Sequence, residues 1–69
     1  MILEKEKLDK QVDNMLKVKL KNGNFLRGRL REYVEHEGNL SIVLQSYTYT
    51  FQVDQNDIES IESISTTVW

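Results

Sequence analysis

Residues 17–44 read KVKLKNGNFLRGRLREYVEHEGNLSIVL. Before Asn22-Gly23, Leu16, Val18 and Leu20 alternate with Lys17, Lys19 and Lys21; after it, Leu26, Gly28 and Leu30 alternate with Arg27, Arg29 and Arg31. Period-two alternation marks a half-buried strand, with one face on a core and the other in water. Asn-Gly between two such runs predicts a hairpin with a type I′ turn, in which both central residues take positive φ. Six cations then stand on the outward faces of one hairpin. The second strand can run on through Glu32, Tyr33 and Val34. Gly28 falls on its apolar side, where an isolated glycine predicts a bend, and bending is how a short sheet curls into a barrel.

On the N-terminal side, residues 2–15 read as a helix, because Leu8, Val12, Met15 and Leu16 recur at helical spacing. Glu6 and Lys10 stand four apart in the favourable order. The expected role of this helix is to cover the open end of the barrel; capping a ring face or binding a partner is the alternative. On the C-terminal side, residues 35–39 form a polar turn containing His36, Gly38 and Asn39. Leu40, Ile42 and Leu44 then predict a third strand. Tyr47, Tyr49, Phe51 and Val53 alternate with Thr48, Thr50, Gln52 and Asp54, which predicts a fourth. Residues 54–57 make a turn. The run IESIESI over residues 58–64 fits a helical turn or a strand, and the β context selects a strand. Residues 65–69 form a short polar tail ending in an exposed Trp69. The expected class is mainly β: an N-terminal helix followed by a five-stranded, strongly bent small barrel, in one domain over residues 1–69, with the barrel at 16–64.

Composition narrows the function. The 69 residues include no Cys and one His, which removes disulfides, thiol nucleophiles and a multi-His metal site within one chain. A chain this short buries only about 60% of its unfolded surface, so oligomerisation is the expected extra source of stability. No apolar run approaches the ~18 residues of a membrane helix and no signal-peptide pattern opens the chain; a cytoplasmic protein without membrane contact is expected. The net charge of −2 is unevenly spread. Residues 1–31 hold all nine Lys and Arg against four acids, and residues 32–69 hold seven acids and no base. Head-to-tail subunit contact and a ligand-facing basic surface both account for that asymmetry. No nucleophile, base and orienter converge in the pattern, and no phosphate loop or metal spacing is present, so neither an enzyme nor a cofactor is expected.

Val18-Lys19-Leu20-Lys21-Asn22-Gly23, then Arg27-Gly28-Arg29-Leu30, Tyr33, Asn39-Leu40 and Val43-Leu44 resemble the first Sm motif of the Sm-like (LSm/Hfq-like) family. The preceding helix and residues 53–58, VDQNDI, are similar to its bacterial RNA-chaperone branch. The resemblance implies a hexameric or heptameric ring of identical subunits, in which the fourth strand of one copy pairs with the fifth of the next. Tyr47, Tyr49, Phe51, Val53, Ile58 and Ile61 become the implied subunit interface, with a stacking platform as the alternative for Tyr47, Tyr49 and Phe51. It also implies single-stranded RNA at the turns before Asn39-Leu40 and before the last strand, bringing in His36, Asn39, Gln55 and Asn56. Three features depart from the family: Val34 stands where it carries an aspartate, the turn that follows is one residue longer, and Asp54-Gln55-Asn56 stands where it carries Arg-Gly or Lys-His. An Asp54 repeated around a pore repels phosphates.

The RNA expectation therefore rests on the outward cations, with Arg27, Arg29, Arg31, Lys19 and Lys21 as the binding set and Phe25 and Tyr33 beside them for stacking. A solvated face with weak cross-strand ion pairs is the plain alternative. The whole chain is also compatible with an Sm-like or SH3-like module that binds a protein partner without RNA, or with a structural subunit of a phage or mobile-element assembly.

Overall fold

A computed structural model describes residues 1–63. It contains one short helix and five antiparallel strands: α1 (Lys5–Gln11), β1 (Met15–Leu20), β2 (Phe25–His36), β3 (Asn39–Ser46), β4 (Tyr49–Asp54), a 3-10 turn (Gln55–Asp57) and β5 (Ile58–Ser63). The strand order is β4-β3-β2-β1-β5. The sheet wraps around one core but does not close, since β4 and β5 each keep an edge unpaired among the described residues. The expected continuation of the last strand to Ile64, the tail and exposed Trp69 lie outside the described residues.

The alternation in residues 16–30 has the expected consequence. Leu16, Val18 and Leu30 are fully buried, and Ile42 and Leu44 from β3 and Ile58 and Ile61 from β5 join them. Gly28 lies opposite Leu16, and its Cα approaches β3 so closely that a Cβ there would stand 3.0 Å from the Leu44 Cβ. The bend that this glycine predicts is thus a close passage of two strands.

Four local expectations are corrected. The helix is shorter than residues 2–15. It ends at Gln11, because Val12 takes extended backbone and Asp13 takes φ 72°. Leu8 alone carries the helix into the core, joined by Leu3 from the segment before it, while Val12 and Met15 are partly exposed. The Asn22-Gly23 turn is not type I′, because only Gly23 there has positive φ, 92°. The Leu20 N–H donates to the Asn24 carbonyl at 2.8 Å and the Gly23 N–H to the Leu20 carbonyl at 2.9 Å. This is a three-residue connection closed by one left-handed glycine. A two-residue turn with both φ values positive occurs instead at Glu37 (51°) and Gly38 (81°), between the paired His36 and Asn39. Glu35, His36 and Asn39 therefore belong to strands, not to a five-residue turn. Lastly, β4 begins at Tyr49, and Tyr47 sits in the β3–β4 turn with φ 53°.

One irregularity decides which side chains share a face. Along β2 and β3 the pairing steps from Leu30↔Leu44 to Glu32↔Val43, so Arg31 is an extra residue, a bulge. Before it, the odd-numbered residues Phe25, Arg27 and Arg29 face outward. After it, Tyr33 and Glu35 pair with the buried Ile42 and Leu40 and face the helix. Glu35 meets Lys5 of α1 at 2.6 Å, and the Tyr33 hydroxyl donates to Asp9 at 2.6 Å.

Candidate nucleic-acid interface

β2 places Arg27 and Arg29 on its outward face, and the bulge adds Arg31. The end of β3 contributes Gln45 and Ser46, the following turn contributes Tyr47, and β1 contributes Met15. Together they line a groove of about 690 Å³. Tyr47 is 95% exposed. A bulky residue held at positive φ with its ring in solvent is a costly arrangement, of the kind found where a side chain is presented to a ligand.

Charge in this groove is poorly balanced. Lys17 stands directly opposite Arg27 across the β1–β2 ladder, and like charges facing one another destabilise a sheet. On its other side Lys17 pairs in register with Glu62 of β5. Its ammonium rests 4.6 Å from the centre of the exposed Phe25 ring, a cation–π contact that holds both groups at the surface. Among the described residues, Arg27 forms no ion pair. Arg29 donates to the Asp13 backbone carbonyl, and Arg31 reaches the Asp13 carboxylate at 3.4 Å.

The six hairpin cations therefore do not make a single patch. Lys19 pairs with Glu59 at 2.9 Å. Lys21 lies at the hairpin tip, where it lines a separate cleft of about 470 Å³ with Leu20, Asn22, Leu26, Gln52, Val53 and Asp57. Tyr33 leaves the stacking set, because the bulge turns it toward α1. Its hydroxyl pKa is raised above the ordinary tyrosine value, first by the hydrogen bond to Asp9 and then by burial and the nearby Asp9 and Glu35 charges. A raised tyrosine pKa stabilises the fold below about pH 10 and is lost only above it, so neutral solutions do not sense it.

Asn39, Gln55 and Asn56 do come together, around Asp54. The Asn39 amide donates to Asp54 at 2.6 Å, and its carbonyl accepts from Gln55 at 2.9 Å and from Asn56 at 3.2 Å. Asp54 also accepts the Asn56 N–H at 2.8 Å, and the Gln55 side-chain oxygen accepts the Leu3 N–H at 3.1 Å. Both lone pairs of the Asn39 carbonyl are thus occupied within the chain. The cluster fastens the β4–β5 turn to β3 and to the N-terminal segment. Asn39→Ala should lower stability by about 1–2 kcal/mol by stripping partners from Asp54, Gln55 and Asn56; a urea melt with an unchanged midpoint would show that the network is not structural. His36 is exposed at the end of β2, apart from this network.

Of the implied interface residues, Val53, Ile58 and Ile61 bury their side chains in the core of the single chain, while their backbones lie on the two edge strands. Tyr49 is 66% exposed although it faces the core side of the sheet, and it stacks on the half-buried Phe51 with ring centres 6.4 Å apart. Sequence reasoning put Tyr47 in the fourth strand rather than in this groove, and it missed Asp13 altogether. The turn Ser46-Tyr47-Thr48-Tyr49 has no Gly, Asn or Pro to mark it, and Asp13 read as one more helical position.

No family model, curated protein or solved structure matches this chain.

Proposed function

We propose that this chain is an Sm-like protein that binds single-stranded RNA on the outward face of β1 and β2 and assembles with copies of itself through the free edges of β4 and β5. The observation that carries the reading is the groove in which Arg27, Arg29 and Arg31 surround an exposed Tyr47, with Lys17 set against Arg27. Guanidinium groups grip phosphates through bidentate hydrogen bonds. Tyr47 and Phe25, at the two ends of the basic row, offer ring faces to bases without regard to sequence. An open sheet with an unpaired strand at each margin supports assembly, since exposed strand edges are templates for another strand. The stacked Tyr49 and Phe51 give the β4 margin an apolar side.

A fluorescence titration with labelled twelve-nucleotide uridine and adenine oligomers tests the reading. With four phosphate-facing cations, the affinity should fall about 50-fold between ~50 and ~200 mM salt. Arg27→Gln, Arg29→Gln and Arg31→Gln combined should abolish binding while the chain stays folded. Salt-insensitive or absent binding would remove RNA from the proposal. Light scattering on the same sample should give a mass several times the 8.1 kDa of one chain; a monomer at every concentration would remove the assembly.

A further inference from the structure

We infer that Asp13 is a built-in competitor for the arginine groove, a carboxylate held where a ligand phosphate would otherwise sit. The inference rests on the reading of that groove as an anion site and specifies how the site is regulated. Asp13 belongs to the link between α1 and β1, not to a regular element. Its backbone is pinned in the left-handed region at φ 72°. Its N–H donates to the Leu30 carbonyl at 2.8 Å, and the Leu30 N–H donates in return to Asn14 at 2.9 Å, so the link rides on β2 between Arg29 and Arg31. From that seat the Asp13 carbonyl accepts from Arg29 and its carboxylate faces Arg31 at 3.4 Å. Two of the three groove arginines are thereby engaged by one residue, and Arg27 is left to make first contact.

The contact has the properties of a displaceable latch. The Arg31 and Asp13 side chains are 48% and 71% exposed, and such pairs are weak. A strand of linked phosphodiesters, each with one negative charge but several meeting the arginine row at once, takes over Arg31 at little cost. A lone carboxylate-bearing side chain of a protein or metabolite would not. Asp13 thus discriminates against weak anions and sets a threshold for the strong ones.

The test measures affinity of the labelled twelve-nucleotide uridine oligomer for the wild type, Asp13→Asn and Asp13→Gly. Both replacements tolerate positive φ, so at least one should keep the link folded. Glu37→Gln, at the far turn of β2, supplies the same change in net charge away from the groove. Releasing Arg31 should tighten binding about two- to five-fold, with Glu37→Gln leaving the affinity unchanged. Affinity unchanged in both Asp13 variants, against a wild type that binds with salt sensitivity, would overturn the latch and leave the groove reading standing. Absence of binding by the wild type and both variants alike would overturn the two together.

Discussion

Leu44→Ala should remove most of the stability of this chain. Leu44 is fully buried, pairs with Leu30 on one side and Phe51 on the other, and lies against the Gly28 passage. Truncating a leucine in such a place costs ~2–5 kcal/mol through lost transfer energy and the cavity left behind. A domain of this length holds only about 3–10 kcal/mol in total. No disulfide is available to offset the loss. Urea unfolding followed by circular dichroism should show the midpoint collapsing toward zero denaturant, or no folded baseline at all. A stability within about 0.5 kcal/mol of the wild type, the range of ordinary surface substitutions, would mean that Leu44 does not fill the centre of the core.

Gly28→Ala should be the most damaging single methyl that can be added to the sheet. Elsewhere in a strand, replacing glycine by alanine tends to help. Here the new Cβ would meet the Leu44 Cβ at 3.0 Å and the Gln45 carbonyl oxygen at 3.1 Å. The first of these is the root of a buried side chain and the second is backbone, so neither swings aside as a flexible tip would. Overpacking of this kind costs ~1–3 kcal/mol. Leu44→Ala in the same chain should not rescue it, because alanine keeps the Cβ that the new methyl meets. The displacement would also reach the groove, since Arg27 and Arg29 flank Gly28. Unfolding midpoints and oligomer affinity measured together should both fall; a variant as stable as the wild type would show that the two strands have slack.

The course of the fold could be read from the chain because alternation is a local signal tied to the core face. Leu16, Val18, Leu30, Ile42, Leu44 and Val53 all lie where their spacing puts them. What escaped was set by relations between strands. The extra residue at Arg31 appears only when β2 is laid against β3, and it alone turns Tyr33 from the arginine face to the helix. Turn identity escaped for a related reason. Asn22-Gly23 carries the favoured dipeptide for a two-residue turn, yet the three-residue connection needs one left-handed position; Glu37 accepts the unfavourable φ at the other turn. Of the site, the arginines were plain in the sequence. Their restraint by Asp13 was not, since it depends on where an irregular link comes to rest. Asn39, Gln55 and Asn56, named for RNA contact, meet around Asp54, where within the chain they hold one another.

The two unpaired margins also determine how the sheet would respond to deuterium. Strands β1, β2 and β3 each have a neighbour on both sides, whereas β4 and β5 have one apiece among the described residues. Successive amides of a strand point to opposite sides, so among the described residues about every second N–H of Tyr49–Asp54 and of residues 58–62 has no ladder partner and should exchange early. Labelling would then trace a gradient, slow at the middle of the sheet and fast at its two borders. If that gradient flattens as the protein is concentrated, the borders are being filled by other copies.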